Sequence, residues 1–226
     1  MYLDPYYFIL VVPTIIIALF AQARVKSTFK KYSNAASSSG INAAQAARRI
    51  LDINRLENVK IERVSGNLTD HYDPKSQTVR LSDSVYESCS VAAIGIAAHE
   101  VGHAVQHSKK YAPLSLRNAI IPVTNIGSRL SFPLILLGII TSIPTLIWVG
   151  IFAFAFACVF QIITLPVEFN ASSIAMDSIS SYSILDSTEI YGAKKVLSAA
   201  AMTYVAALAV SLASLLRLML AFGRRR

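Results

Sequence analysis

Residues 97–104 read Ala-Ala-His-Glu-Val-Gly-His-Ala, and they carry the most specific pattern in the chain. On an α-helix, His99 and His103 would lie one turn apart on one face, so both imidazoles can reach a single Zn²⁺. Glu100, on the adjoining face, can act as general base toward a water molecule. The alternative is a buried helix that carries these residues by chance. An apolar run from Val91 to Ala98 disfavours it, because burying three polar groups without a metal or partners is costly.

The composition is typical of a membrane protein. Of the 226 residues, 54% are hydrophobic and only 15% are charged, with a mean hydropathy of +0.51. Soluble domains carry more charge. The apolar residues concentrate at positions 6–23, 130–167 and 199–222, whereas residues 24–117 resemble an ordinary soluble domain. We therefore expect a mainly α membrane protein with one region outside the bilayer.

The net charge of +8 does not indicate a nucleic-acid-binding protein. The basic residues flank the apolar segments and form no stripe interleaved with aromatic residues. Attraction to the anionic head groups of a lipid bilayer accounts for them. Cys89 and Cys158 lie in different regions, so we expect neither a disulfide nor a cysteine metal site.

The first apolar segment, Tyr6–Gln22, is predicted to be an uncleaved membrane anchor. Its length approaches the roughly 20 residues that a span requires. Ala21-Gln22-Ala23 imitates a signal-peptide cleavage site, but no positive charge precedes the segment and four basic residues follow it closely. These charges place the N-terminus outside and the following residues in the cytoplasm.

The remaining apolar segments predict about four transmembrane helices in total. Ser142-Ile143-Pro144-Thr145 divides a run that is too long for one span, which gives a helical hairpin. Four spans would put Arg224–Arg226 outside, against the positive-inside tendency, unless the last helix packs against the catalytic region without crossing. The predicted regions are an anchor at 1–23, a cytoplasmic zincin-like region at 24–117, the hairpin at 118–167, a third-ligand segment with cytoplasmic helices at 168–198, and a membrane helix with a basic tail at 199–226.

The predicted cytoplasmic region combines a small β-sheet with the active-site helix. Its alternating apolar residues indicate strands, and Asp73-Pro74-Lys75-Ser76 is a hairpin turn. An outer strand beside the cleft would pair with an extended substrate. The expected elements are a linker at 33–39, a helix at 43–53, strands at 59–64, 68–72 and 78–81, and the motif helix at roughly 84–107.

A catalytic zinc site needs a third protein ligand beyond the two histidines. His107 lies about 12 Å along the helix axis from His99, which is too far for one ion. His71 is expected at the surface, with a substrate or oxyanion role as the less favoured alternative. Glu168 is the favoured ligand because it is the first charged residue after the apolar hairpin. The other downstream carboxylates are Asp177, Asp186 and Glu189, and a helix-capping role for Glu168 is the alternative.

A resemblance extends over nearly the whole chain, in the same order. The segments that carry it are Gly66–Pro74, Val79–Ser82, the H-E-x-x-H helix, Leu165–Ser172, Lys194–Leu197 and Ala201–Ala206. Together they resemble the YugP-type bacterial membrane zinc metallopeptidases. The Glu168-Phe169-Asn170-Ala171 stretch is also distantly similar to the HtpX and Ste24 membrane proteases, in which the equivalent glutamate is the third zinc ligand.

This resemblance implies a gluzincin-like site with one Zn²⁺ per chain in a protein of the bacterial cell membrane. It implies His99, His103 and Glu168 as the ligands and Glu100 as the catalytic base. His71, Asn170 and Ser172 are candidates for substrate contacts or for hydrogen bonds to the ligands. The second oxyanion donor is not identified, with His71, Tyr182 and Tyr191 as the options.

The favoured function is a membrane-embedded zinc endopeptidase that acts on membrane or membrane-proximal polypeptides. A metal-binding but inactive scaffold is the alternative, although such a protein has no need for Glu100. A small-molecule transporter is disfavoured, because the only ionisable residue well inside the apolar segments is Arg217, near a helix end.

Overall fold

The computed structural model describes residues 4–223, so the ends of two predicted regions, Met1–Leu3 and Arg224–Arg226, lie outside it. Six long helices and a three-stranded sheet follow one another within this range. The helices are α1 (Val12–Ser33, after a π-helical turn Tyr7–Val11), α2 (Ala43–Ile53), α3 (Val91–Ser108), α4 (Ala112–Ile140), α5 (Pro144–Ser181) and α6 (Ser187–Gly223), and the strands are β1 (Lys60–Val64), β2 (His71–Asp73) and β3 (Thr78–Ser82).

Four of the helices are long and apolar enough to cross a membrane: α1 with its preceding turn, α4, α5 and α6. The prediction of a mainly α membrane protein is therefore confirmed. The described residues divide into two compact units. The apolar unit comprises residues up to 22 together with 115–166 and 202 onward, and the sheet unit comprises residues 23–114 and 167–201.

Within the apolar unit, α4 and α5 form the predicted hairpin, which turns at Thr141–Ile143. The two backbones approach closely through glycines. A Cβ atom on Gly150 would lie 2.8 Å from the carbonyl oxygen of Ser131, and one on Gly138 would lie 2.8 Å from the backbone nitrogen of Ile147. Neither position can therefore hold a larger residue without separating the helices.

The sheet unit contains the predicted β-hairpin and a parallel pair. The strand order is β1-β3-β2, with β3 parallel to β1 and antiparallel to β2, so β2 forms one edge. Asn42 and Gln45 begin α2 with a capping box, and the helix then buries Ala46, Ala47 and Ile50. The apolar core also takes in β3, α3 and the parts of α5 and α6 that belong to this unit.

Several predicted boundaries differ from the structure. α1 continues to Ser33, beyond the anchor predicted at Tyr6–Gln22, and the strand predicted at 68–72 forms only at His71–Asp73. The motif helix begins at Val91 and not near residue 84, because Ser90 caps it by accepting a hydrogen bond from the backbone of Ala93. The residues before Ser90 form turns. The predicted starts of the third-ligand segment, at 168, and of the last membrane helix, at 199, fall inside the continuous helices α5 and α6.

The expectation that Arg217 alone is ionisable within the apolar segments was wrong. The helix α4 begins 18 residues before Leu130, and it therefore carries Arg117 and Arg129 within a candidate span. Arg217 itself does not simply extend toward a helix end. Its Nε donates to Asp4 Oδ2 at 2.8 Å, and its guanidinium lies 5.2 Å from the centre of the Tyr7 ring.

Candidate metal centre

The H-E-x-x-H motif lies in the middle of α3, where this helix meets α5. The apolar face of α3 is buried in the core, which fixes the rotation of the helix about its axis. Gly102 lies at the point of closest approach. A Cβ atom there would be 2.5 Å from the carbonyl oxygen of Ala171, so only glycine lets α5 come this near. Glu168 lies on α5 one turn before this contact.

This approach brings the nitrogen atoms of two histidines to one carboxylate. The Nε2 atom of His99 lies 3.3 Å from Oε2 of Glu168, and the Nε2 atom of His103 lies 3.7 Å from the same oxygen. The potential ligand atoms of the three residues all lie within 4.8 Å of one another. His103 and Glu168 are buried and His99 is half-buried.

The donor set fits a zinc ion. Two ligand atoms at bonds of about 2.1 Å and a tetrahedral angle are separated by about 3.4 Å, close to both nitrogen-to-oxygen distances above. Two imidazoles and one carboxylate are also a known catalytic set, which leaves the fourth position for water or substrate. The distances are therefore compatible with three ligands around one ion.

Gln106 determines which nitrogen of His103 carries the proton. The Nε2 group of Gln106 donates both of its hydrogens, to the carbonyl oxygen of Val167 and to Oδ1 of Asn170, each at 2.8 Å. Its Oε1 atom lies 3.0 Å from Nδ1 of His103 and can only accept. His103 therefore donates from Nδ1, and its neutral form presents a lone pair on Nε2 toward Glu168.

The other histidine has a partner on α5. Oγ of Ser172 lies 3.1 Å from Nδ1 of His99, so a hydroxyl holds the outer nitrogen while Nε2 points to Glu168. Two of the three residues predicted to surround the site, Asn170 and Ser172, thus lie in the hydrogen-bond network of the histidines. The third, His71, is exposed on β2, where its Nδ1 donates to the carbonyl oxygen of Thr69 at 2.8 Å.

Glu100 is buried beside this cluster, with 8% of its surface exposed. Burial raises the pKa of its carboxyl group above the usual value, while the neighbouring His99 and His103 partly oppose that shift. For His103, burial lowers the pKa, but its contact with Glu168 and the charge of Glu100 outweigh burial and raise it. Burial therefore favours the protonated form of the Glu100 carboxyl group.

The other residues considered as ligands or oxyanion donors make different contacts. His107 is half-buried, and its Nδ1 pairs with the hydroxyl of Tyr72 at 2.8 Å, so it is not simply solvated. Asp177 is exposed on α5. Asp186 accepts hydrogen bonds from the backbone at the start of α6, and Glu189 accepts one from Ser38. Of the oxyanion options, Tyr182 packs against the core and Tyr191 is exposed beside Lys195.

Gln106 is the functional residue that the sequence interpretation missed. It is almost fully buried, at 1% exposure, although its side chain is polar. Its position three residues after His103 was the available signal, because residues at this spacing lie on the same face of a helix. A polar residue beside a predicted ligand is a candidate for orienting it.

Comparisons with known proteins agree with this geometry. The model of a family described as "Putative neutral zinc metallopeptidase" matches residues 7–223. A Bacillus subtilis (strain 168) protein named "Putative membrane protease YugP" is 52% identical over 206 residues, which cover 91% of this chain and 92% of that protein. No solved structure matches. Since the match covers nearly all of the described residues, including α3 and α5, the chain belongs to the family described as "Putative neutral zinc metallopeptidase".

Proposed function

We propose that the protein is a zinc-dependent endopeptidase of the bacterial cell membrane that hydrolyses membrane or membrane-proximal polypeptides. The observation that carries this proposal is the convergence of the Nε2 atoms of His99 and His103 on one oxygen of Glu168, with Glu100 buried beside them. One Zn²⁺ per chain would be held by these two imidazoles and this carboxylate. The family name and the name of the Bacillus relative support the same reaction.

The proposed role of each residue in hydrolysis follows from its chemistry. Bound zinc supplies a water molecule of lowered pKa and polarises the scissile carbonyl group. Glu100 accepts the proton of the attacking water and later delivers it to the leaving amine. Its burial favours this exchange, because a raised pKa makes the carboxylate a stronger proton acceptor. Gln106 and Ser172 hold the histidine rings in the orientation that ligation requires.

The exposed edge of the sheet supports the proposed polypeptide substrate. β2 is an edge strand and packs beside α3, so an extended chain can pair with it near the histidines. His71 lies on this strand with its side chain exposed, which makes it a candidate for contact with the substrate. The relevant partners are thus a peptide or membrane protein and the bilayer, with no nucleic acid.

An inactive metal-binding scaffold remains the second candidate. Such a scaffold would need the three ligands but no further carboxylate buried beside them. Burying Glu100 costs free energy of folding, and a scaffold gives no reason to retain that cost. The two candidates differ in whether peptide bonds are cleaved.

The test is proteolysis by the detergent-purified protein, with casein cleavage and self-cleavage as readouts. We expect wild type to contain one zinc per chain and to cleave, and Glu100→Gln to keep its zinc but to lose at least about 100-fold in rate, as expected when a general base is removed. Glu57→Gln, at an exposed acid outside the site, is the control. Zinc-loaded wild type that cleaves no peptide or membrane substrate would instead favour the scaffold.

A further inference from the structure

A stripe of polar side chains runs along α4 inside a candidate membrane span. Asn118, Asn125 and Arg129 are spaced by seven and four residues, which places them on one face of the helix. Asn125 and Arg129 are exposed, as is Pro122 between them. We call the face formed by Asn118, Asn125 and Arg129 the polar stripe.

The polar stripe points away from the helix to which α4 is paired. Thr124, Ser131 and Gly138, spaced by seven residues, are all buried, and the last two contact α5 at Gly150 and Ile147. This buried face lies about 140° around the helix from the polar stripe, by the rotation of 100° per residue. α5 therefore leaves the polar stripe uncovered.

Arg129 lies deep in the span. The turn Thr141–Ile143 joins two membrane helices and must reach the bilayer surface, where its backbone groups meet water. Arg129 is 11 residues before Ile140, or about 16 Å along the helix, roughly half of a hydrocarbon core of about 30 Å. Among residues 4–223, no side chain or backbone group hydrogen-bonds to Arg129 or pairs with its charge.

A charged group at this depth, with polar neighbours on the same face, is typical of a functional surface in a membrane protein. The missing partner must supply negative charge inside the bilayer. The segments 1–22, 115–166 and 202–226 contain one carboxylate, Asp4, and it pairs with Arg217 at 2.8 Å. A second copy of this chain therefore has no free carboxylate to offer from its apolar unit. A lipid phosphate at the surface lies farther away than an arginine side chain reaches.

We propose that the polar stripe binds a transmembrane helix of another polypeptide through an acidic residue within the apolar part of that helix. Arg129 pairs with the carboxylate, and the amides of Asn118 and Asn125 hydrogen-bond to polar groups on either side of it. A substrate of the proposed peptidase is one polypeptide that would present such a helix. The binding itself does not depend on hydrolysis, so the two proposals can fail separately.

The test uses the full chain in phosphatidylcholine vesicles with a synthetic polyleucine helix that carries one central glutamate. Every variant also carries Glu100→Gln, so cleavage cannot alter the readout, which is energy transfer between fluorophores on the two partners. We expect the glutamate helix to bind about tenfold more tightly than an all-leucine helix, the size of one interhelical polar contact. Arg129→Leu should remove the difference, whereas Ser128→Leu, at an exposed neighbour outside the polar stripe, should keep it.

A charge reversal provides the second arm. Arg129→Glu should lose the glutamate helix and gain a helix with a central lysine. Unchanged helical circular dichroism and thermal unfolding show that each variant is folded. Equal binding of the glutamate and leucine helices by wild type would overturn the proposal. Self-association that depends on Arg129 would show that the polar stripe binds a second copy of the chain. Enrichment of phosphatidylglycerol that depends on Arg129, without helix binding, would show that it binds lipid. Either result would also overturn the proposal.

Discussion

Gln106 joins the motif helix to α5 through a single amide group. Its oxygen accepts a hydrogen bond from His103, and its nitrogen donates to Val167 and Asn170. All three hydrogen bonds therefore require one orientation of the amide. Rotating the amide by half a turn would place its oxygen against the carbonyl of Val167. The proton on His103 is therefore fixed by contacts that lie outside the H-E-x-x-H pattern.

We predict that Gln106→Leu weakens zinc binding by about 10- to 100-fold, the usual loss when a hydrogen bond to a metal ligand is removed. The variant also removes the hydrogen bonds from Gln106 to the carbonyl of Val167 and to the amide oxygen of Asn170, and we expect this to lower the free energy of unfolding by about 1–3 kcal/mol. Chelator competition measures the first effect and urea unfolding the second. Ser108→Ala, on the exposed end of the same helix, is the control. Wild-type zinc affinity in Gln106→Leu would contradict the proposed role of Gln106 in orienting His103.

The sequence allowed individual site residues to be predicted only where their spacing or position is typical of a metal site. His99, Glu100 and His103 stand in a recognisable spacing, and Glu168 followed from its position after the apolar hairpin. The placement of Gln106 and Ser172 against the histidines depends on how α3 and α5 pack. Local spacing does not encode that packing, so these contacts required the structure.

At the scale of elements, the contact between α3 and α5 is what brings the ligands together. His99 and His103 belong to one helix and Glu168 to the other, and Gly102 allows the helices to touch. The distance between the two backbones therefore sets the distance between the histidine nitrogens and the carboxylate. Substitutions that separate the helices should damage the site without touching a ligand.

We predict that Gly102→Ala destabilises the fold by about 1–3 kcal/mol, the usual cost of overpacking, and lowers zinc affinity. Its Cβ atom would lie 2.5 Å from a backbone oxygen, which cannot rotate away as a side chain can. Gly95→Ala on the same helix is the control, because its Cβ atom would lie 3.3 Å from the Cβ atom of Ala193 and needs only a small shift. The readouts are thermal unfolding and chelator competition. Equal effects of the two variants would contradict this explanation.

The elements were predictable where their signals are local. The bounds of α2 agree with its capping box and apolar face, and the break between α4 and α5 coincides with a Ser-Ile-Pro-Thr sequence. Two features depend on tertiary contacts. The start of α3 follows the pairing of its first residues with Ala35 and Ala36, and the parallel pairing of β1 with β3 is set by the core.

At the scale of the whole molecule, four crossings by the candidate spans would place Asp4 and the end of α6 on one side of the membrane. Asp4 precedes the first span and Arg217 lies near the end of the last, and the two side chains form an ion pair at 2.8 Å. This contact supports four crossings, the alternative that the positive-inside tendency disfavours for the basic C-terminus.

We predict that the sheet unit faces the cytoplasm, because the four basic residues in the last turns of α1, within residues 24–31, favour that side. Cys89 lies in this unit and is half-buried, and Cys158 is the only other cysteine of the chain. In a Cys158→Ala variant, a membrane-impermeant maleimide should label Cys89 in inverted vesicles and not in intact cells. Labelling in intact cells would reverse the orientation, and labelling of unfolded protein in both preparations controls for reactivity.

The measurement that tests the central claim most directly is the zinc affinity of Glu168→Gln beside Asp177→Asn, by chelator competition on the purified full chain. Both carboxylates lie on α5, and Asp177 is exposed while Glu168 is buried with the two histidine nitrogens. We predict that Glu168→Gln binds zinc at least about 100-fold more weakly than wild type, beyond the loss expected for an outer hydrogen bond, and that Asp177→Asn binds normally. Wild-type affinity in Glu168→Gln, or its loss in Asp177→Asn, would contradict the assignment of His99, His103 and Glu168 as the metal site.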